Sequence, residues 1–254
     1  MFNFKLGRQA RTFNPKIMHM SAILGAKNIP TPPTSVDWTH GITDFGMMMN
    51  DQLGCCTCAG VFHALQIWSA NVLVEKTEPD NCILELYEQA CGYKPGDAST
   101  DSGGIEQNVL SFIMNTGIPM SDGSRDKILG FMEVDPRNIN DVKVTINDFG
   151  LAYIGFEVPN SIYDETGMPK TVWEYDATQT DIEGGHCIIC VGYDDQYVTV
   201  ISWGSLYKMS WEFFQKYTDE VYAIVSPDWI ASTGINPLGM SVSDLEQLMA
   251  AIKE

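Results

Sequence analysis

The sequence predicts an α+β fold with a helical first half and a second half built from a β-sheet or barrel. Helix-period apolar patterns precede residue 120, runs of β-forming residues follow residue 128, and 254 residues with 44% apolar side chains suffice for a large core. We expect four segments: a basic extended arm at 1–35, the helical half at 36–120, the β half at 121–225, and a tail at 226–254. A cleft between the two halves is the natural place for a ligand.

The arm differs sharply in charge from the rest of the chain. Its region, residues 1–36, carries five basic side chains and no acidic one, whereas the remaining 218 residues carry about −23. This asymmetry predicts that the arm lies against an acidic surface, its own, that of a second copy of the chain, or that of a virion assembly. The Pro-rich stretch at 29–33 predicts an extended linker after it.

Three helices are predicted after the linker. Apolar residues recur with helical period at 57–73, from Asp80 onwards and at 105–115, with Thr57 and Asp80 as N-caps. Gly92 and a glycine at 117 mark the ends of the second and third helices.

The β half shows short apolar runs rich in β-forming residues. Five strands are predicted, at 128–134, 151–158, 186–193, 197–203 and 221–225. One helix at 139–149, closed by Gly150, interrupts them. The tail ends in an amphipathic helix whose apolar stripe consists of Leu245, Leu248, Met249 and Ile252.

Charge and hydropathy exclude several classes of protein. A net charge of −18 repels phosphate backbones, so we predict no nucleic-acid binding. No apolar run approaches the roughly 18 residues that span a bilayer, and the amino terminus lacks a secretory signal pattern. We therefore expect no membrane association and a cytoplasmic protein or a virion component.

The seven cysteines predict neither a disulfide framework nor a metal site. Their number is odd, and the chain is too long to need disulfides for stability. Cys55, Cys56 and Cys58 cluster, but Cys187 and Cys190 lie on a predicted strand and would point to opposite faces. We predict no metal and no cofactor.

The cysteine cluster opens the first predicted helix, where unpaired amides favour a thiolate. Cys56 and Cys58 are therefore candidate nucleophiles, and each needs a histidine to take its proton. His63 lies on the same helix and is predicted to be a structural residue. His186 follows two glycines and opens a strand of the other half, which makes it the candidate base.

An ordered set of motifs resembles the papain-like cysteine peptidase superfamily. The motifs are Asp37-Trp38, Asn50-Asp-Gln-Leu-Gly-Cys-Cys-Thr-Cys58, Gly103-Gly104, Gly185-His186 leading into Val-Gly-Tyr193, and Ser202-Trp203-Gly204. The chain is more closely similar to an uncharacterised group of phage and bacterial papain-like proteins in which Asn-Asp-x-x-Gly-Asp-Cys opens the helix. Cys55 stands where that group has Asp, and Ser202 where it has Thr. The resemblance covers roughly residues 36–225 and implies a papain-like fold with the site between the halves.

The resemblance implies two alternative catalytic sets. Papain-like enzymes place an oxyanion-binding amide side chain six positions before the cysteine, a spacing shared by two pairs, Asn50 with Cys56 and Gln52 with Cys58. The closer group favours the first pair. The superfamily pattern favours the second, in which Cys55 and Cys91 would resemble the family's disulfide partners. Both alternatives stay open.

The surroundings of His186 depart from the family pattern. An Asn two residues before the Trp orients the histidine in these enzymes, but this chain has Ile201 there. Ser202 is the remaining candidate to orient the imidazole, as a weak substitute. We expect Trp203 to be buried beside His186.

Two hypotheses for function follow. The first is a slow thiol hydrolase that cleaves a peptide or amide bond by Cys–His catalysis. The second is a papain-fold binding or structural protein with little or no activity, such as a virion or host-interaction component. Both hypotheses imply a peptide or protein as substrate or partner.

Overall fold

The structure, a computed structural model, describes residues 4–24, 31–72, 74–230, 234–235, 241, 243–244 and 246–247. The helices are α1 (Met20–Leu24), α2 (Cys56–Val72), α3 (Asp80–Cys91), α4 (Glu106–Asn115), α5 (Ile139–Phe149) and α6 (Trp211–Tyr217). The strands are β1 (Val36–Asp37), β2 (Ile118–Pro119), β3 (Arg125–Asp126), β4 (Gly130–Glu133), β5 (Ala152–Pro159), β6 (Val172–Trp173), β7 (Ile182–Tyr193), β8 (Tyr197–Ser202), β9 (Ser205–Ser210) and β10 (Thr218–Val225). None of the helices in these ranges is long and apolar enough to cross a membrane.

One large sheet organises the fold. Its strand order is β4-β10-β5-β7-β8-β9-β6, with β1 added to β7, and the pairs are antiparallel except that of β6 with β9. Strands β2 and β3 form a separate antiparallel pair. The order of helices first and strands later is the predicted α+β arrangement.

The two faces of the sheet belong to different apolar cores. Because side chains alternate along a strand, Cys187 and Ile189 of β7 pack in the core that contains α2, whereas Ile188 and Cys190 pack in the core that contains residues of α5 and α6. Helix α2 is buried along most of its length, and Gly60 lets the Tyr153 ring approach. This packing fixes the start of α2 against β7.

Several predicted boundaries are wrong by a few residues. Helix α2 begins at Cys56 instead of Thr57, because the Cys55 carbonyl accepts the hydrogen bonds of the first turn. Asp80 is the first residue of α3 and not its cap, since Pro79 occupies that position without a side-chain hydrogen bond. Strand β7 starts at Ile182 because a long antiparallel pairing with β5 extends it before the glycines.

Other elements either agree with the sequence prediction or were not predicted. Helix α5 has the predicted bounds, with Gly150 in the left-handed conformation at its end. Strand β9 and helix α6 were not predicted. The predicted apolar stripe of the tail, Leu245, Leu248, Met249 and Ile252, lies outside the described residues.

Candidate active site

The thiol of Cys56 lies where α2 meets β7. Cys56 is the first residue of α2 and is buried, and the backbone amides of Cys187 and Gly7 lie near enough to its sulfur to favour the thiolate. Cys187 directly follows His186 on β7. The structure therefore brings Cys56 to the strand residue next to the candidate base.

His186 is completely buried and held on two sides. Its Nε2 is 2.9 Å from Ser202 Oγ, and its ring stacks on Trp203 with centroids 4.4 Å apart. Trp203 is 3% exposed, which confirms the prediction of a buried wall beside the histidine. Nδ1 of His186 has no hydrogen-bond partner among the described residues, so it makes no hydrogen bond to the Cys56 thiol.

A tight hairpin turn holds Trp203 over the imidazole. Strands β8 and β9 are joined by Trp203 and Gly204, whose φ angles are 46° and 72°. A turn with positive φ at both central residues matches the twist of a two-residue hairpin, but a bulky residue there is unusual. Ile201, where the family has its orienting Asn, packs instead in the core that contains α2.

Asn50 presents its side-chain amide to the same site. Asn50 Nδ2 donates to the carbonyl oxygens of Lys5 and Leu53, each at 3.2 Å. Trp203 Nε1 donates to the same Lys5 oxygen, also at 3.2 Å. One backbone carbonyl of the arm thus accepts hydrogen bonds from the side chains of both Asn50 and Trp203.

The arm runs across the whole site as an extended chain. Lys5 N donates to Asn50 O, Arg8 N to Gly185 O, and Gln9 N to Gly104 O. Gly104 N returns a hydrogen bond to Gly7 O at 2.8 Å. The basic arm therefore packs on its own acidic body over residues 4–11, as the charge asymmetry predicts.

Glycines in the arm and in the body let the two backbones approach closely. A Cβ on Gly7 would lie 1.8 Å from Gly54 O, and one on Gly103 would lie 1.9 Å from Gly7 O. These contacts are with backbone, so they cannot be relieved by a side-chain rotation. Gly103, one of the family-like motif residues, here faces the arm directly.

Arg8 of the arm contacts a group of carboxylates that are mostly buried. Arg8 Nη1 lies 2.7 Å from Glu220 Oε1 and 2.8 Å from Asp219 Oδ1. Glu106, at the start of α4, is fully buried beside this cluster. Burial acts to lower the pKa of Arg8, but the negative charges of Glu106, Asp219 and Glu220 outweigh it, so the pKa of Arg8 is raised.

Burial favours the neutral forms of the Cys56 thiol and the His186 imidazole. It raises the pKa of the Cys56 thiol to about 12, although the amide of Cys187 favours the thiolate. Burial and, to a smaller extent, the positive charge of Arg8 together lower the pKa of His186 to about 3. A neutral thiol beside a neutral imidazole is a poor nucleophile.

The second predicted set, Gln52 with Cys58, occupies different surroundings. Cys56 and Cys58 are two residues apart on α2 and therefore point to nearly opposite sides of the helix. The Cys58 sulfur lies 4.0 Å from that of Cys91 on α3. Gln52 is exposed. The structure thus does not place this pair beside His186.

The remaining cysteines and His63 have structural surroundings. All seven cysteines are free, and Cys91 faces Cys58 and not Cys55, whose thiol points to Met48 O. The disulfide correspondence of Cys55 with Cys91 is therefore wrong here. His63 Nε2 lies 3.0 Å from Phe45 O, as expected for a structural helix residue.

Sequence reasoning missed Arg8 and the carboxylates around it. The acid-free arm was a signal that some basic side chain would meet acidic ones, but nothing in the sequence distinguishes Arg8 from the arm's other basic residues. Glu106 stands in the first turn of a helix, where acidic residues are common. The partners were not predictable because only the fold brings residues 8, 106, 219 and 220 together.

Comparisons with known proteins concern the fold. No protein-family model matches the sequence, and no curated protein matches it. Xylellain, a cysteine protease from Xylella fastidiosa, is similar in structure at 17% identity, with 89% of this chain and 98% of that chain covered and a TM-score of 0.64.

Two further solved structures are similar in fold. Digestive procathepsin L2 of the Tenebrio molitor larval midgut is 14% identical, with 89% of this chain and 75% of that chain covered and a TM-score of 0.58. The Carica candamarcensis cysteine protease CMS1MS2, solved in complex with E-64, is 14% identical, with 76% of this chain and 99% of that chain covered and a TM-score of 0.51. The chain described above therefore has the papain-like fold.

Proposed function

We propose that the protein is a papain-fold thiol hydrolase that cleaves a peptide or amide bond, with Cys56 as nucleophile and His186 as base. The observation that supports a peptide substrate best is the arm itself. An extended backbone lies against the Cys56 thiol, gives a carbonyl to Asn50 and donates an amide to Gly185 beside the histidine. A site that holds one extended chain in this way is suited to bind another.

The proposed chemistry follows from these positions. His186 Nδ1 takes the thiol proton, the thiolate attacks the carbonyl carbon, and Asn50 Nδ2 donates to the oxyanion. The protonated imidazole then gives its proton to the leaving amine, and water hydrolyses the thioester. In this mechanism the imidazole carries its proton on Nε2 and donates it to Ser202 Oγ, 2.9 Å away, which leaves Nδ1 free to accept.

Serine is weaker than an amide side chain at fixing the tautomer of the His186 imidazole. An amide oxygen can only accept, so it fixes one tautomer, whereas a hydroxyl can accept from or donate to Nε2. Ser202 therefore permits the inactive tautomer as well as the active one. This is the physical reason to expect a slow enzyme.

In this proposal, the state described here is inactive because the arm fills the site. Activity requires the arm to leave, which admits water and substrate and removes the charge of Arg8 from the neighbourhood of His186. Gly7→Ala is the sharpest way to displace the arm, because the new methyl group would collide with the Gly54 backbone. Ala10→Ser, at an exposed position of the same arm, is the matched control.

The test is hydrolysis of a mixture of peptide amides by full-length variants. Gly7→Ala should cleave peptides faster than the unchanged chain and Ala10→Ser should not. Adding Cys56→Ser to Gly7→Ala should abolish cleavage, whereas adding Cys58→Ser should preserve it. Loss of cleavage only with Cys58→Ser would move the nucleophile to Cys58 and the oxyanion role to Gln52.

The alternative is a papain-fold protein that binds a peptide or an assembly partner without turnover. It is favoured by the missing hydrogen bond between Cys56 and His186 and by the neutral state of both groups. A folded Gly7→Ala variant that binds peptides and hydrolyses none of them would support this alternative.

A further inference from the structure

The carboxylate cluster around Arg8 has the geometry of a guanidinium site. Arg8 Nη1 contacts Asp219 Oδ1 at 2.8 Å, and Nη2 donates to Asp219 Oδ2 at 3.1 Å, so one carboxylate receives both nitrogens of the fork. Glu220 Oε1 adds a third contact at 2.7 Å. A planar guanidinium fits such a two-pronged contact, whereas a lysine ammonium makes a single-point contact.

A β-bulge builds this cluster. Successive residues of a strand normally face opposite sides of a sheet. The pairing of β10 with β5 shifts register between Thr218 and Glu220, which leaves Asp219 as the extra residue. The shift lets both Asp219 and Glu220 reach one guanidinium, and bulges commonly re-aim side chains in this way beside functional sites.

Contacts within the body also hold the cluster in place. Tyr222 Oη donates to Glu220 Oε2 at 2.7 Å and accepts from Gln107 Nε2 at 2.8 Å. Glu106 is fully buried, and neither of its carboxylate oxygens accepts a hydrogen bond among the described residues. Burial raises the pKa of Glu106 well above its ordinary value, and the nearby positive charge of Arg8 lowers that pKa only in part, so a cation beside this carboxylate is favoured.

A missing side chain makes room for the occupant. A Cβ on Gly155 of β5 would lie 2.3 Å from Glu106 Oε1 and 2.6 Å from Arg8 Cδ. Any larger residue would fill the space through which the arginine stem enters. The pocket is also next to the reacting thiol, because the Gly7 amide contacts Cys56 and Arg8 is the following residue.

We infer that Glu106, Asp219 and Glu220 form a specificity pocket that selects an arginine side chain of a peptide substrate, and that Arg8 fills this pocket in the arm-bound state. This inference rests on the proposed function for its substrate. It adds that the selected arginine lies within one or two residues of the bond that is cleaved.

The experiment uses full-length Gly7→Ala/Arg8→Ala, which displaces the arm and empties the pocket. Peptide amides carry arginine, lysine or norleucine at each position within two residues of the cleaved bond. The arginine peptide should exceed the other two at least about tenfold in kcat/KM. Adding Asp219→Asn should bring the preference to about twofold or less. That carboxylate is 46% exposed in its side chain, so the substitution spares the core.

A charge-matched control and a binding measurement complete the design. Asp195→Asn removes one exposed negative charge elsewhere and should leave the preference intact. The same peptides are also bound to a version carrying Cys56→Ser, with affinity measured by fluorescence anisotropy. Arginine preference in binding without hydrolysis by the parent would uphold the pocket and refute the hydrolase. Hydrolysis or binding without arginine preference would overturn the pocket and leave the hydrolase to its own test.

Discussion

The arm contacts two buried polar regions that differ in charge. At the thiol region, Cys56 and His186 are neutral, because burial raises one pKa to about 12 and lowers the other to about 3. At the carboxylate pocket, Arg8 brings a counter-charge into contact with Asp219 and Glu220. The comparison teaches that the same arm buries a thiol and an imidazole in one region and supplies a positive charge to carboxylates in the other. Displacing the arm should therefore favour the charged forms of Cys56 and His186 and remove the counter-charge from the carboxylates.

The largest expected effect is on the reactivity of Cys56 in Gly7→Ala. Water entering the site removes much of the burial penalty on the thiolate, whose ordinary pKa is near 8.5. Alkylation of Cys56 at neutral pH should accelerate by about 100-fold or more. Peptide mapping after brief alkylation measures the rate at each thiol.

The control for this prediction lies on the same helix. Cys58 is fully buried and packs against Cys91 of α3, so its labelling should be nearly unchanged. Equal acceleration at Cys56 and Cys58 would mean that the variant loosens the whole protein, and the contrast between the two regions would not hold.

Trp203 connects the thiol region to the arm, and its removal should be the most destabilising single change there. Its ring covers His186 and its Nε1 holds the Lys5 carbonyl. Trp203→Ala should lower the free energy of unfolding by about 3–5 kcal/mol, measured by urea denaturation. Trp203→Phe keeps most of the apolar contact and should cost about 1 kcal/mol for the lost hydrogen bond. Equal losses of unfolding free energy in Trp203→Ala and Trp203→Phe would contradict the larger share given to apolar packing.

The pH dependence of the imidazole distinguishes the arm-bound state from the open one. The folded chain holds His186 neutral with a pKa of about 3, whereas the unfolded imidazole has its ordinary pKa near 6.5. The unfolded chain therefore binds more protons below about pH 6.5, and this residue's contribution to stability falls as the pH drops from there towards 3.

The measurement is an NMR titration of the histidine rings. His186 should stay neutral at pH 5 in the unchanged chain and titrate at higher pH in Gly7→Ala, because solvent then reaches the ring. Protonation of His186 near its ordinary pKa in the unchanged chain would show that the arm does not seal the thiol region.

Local signals in the sequence predicted local structure well. Helix α5 and its terminal glycine follow from a cap, an apolar period and Gly150, all contained within one short segment. Trp203 was predicted beside His186 because an ordered set of motifs implied the fold. The early start of β7 was not predicted, since Ile182–Gly185 become a strand only by pairing with β5.

The carboxylate pocket shows why the rest of the site could not be predicted. Its members come from the arm, the start of α4 and a bulge in β10, and each looks ordinary in its own segment. A bulge depends on the register between two strands, which the sequence of one strand does not reveal. Arg8 and Arg11 likewise have similar sequence surroundings but meet different environments.

That difference between Arg8 and Arg11 leads to the smallest expected effect. Arg11 pairs with Glu133, but its side chain is 30% exposed, whereas the Arg8 side chain is 3% exposed. Arg11→Ala should weaken docking of the arm by less than about 1 kcal/mol, because partly exposed ion pairs are screened by water and salt. Arg8→Ala removes the only cation that contacts Glu220 among the described residues and should cost about 3–5 kcal/mol.

Hydrogen exchange of the arm amides in the native full-length chain measures both effects. Protection of the Lys5, Arg8 and Gln9 amides should fall slightly in Arg11→Ala, and this small loss should disappear when salt rises from about 0.02 M to about 0.5 M, since screening removes the pair in the unchanged chain as well. Arg8→Ala should lose most of the protection at both salt concentrations. If Arg11→Ala abolishes protection as completely as Arg8→Ala, the arm is held by diffuse charge attraction, and the buried pocket would not be what anchors it.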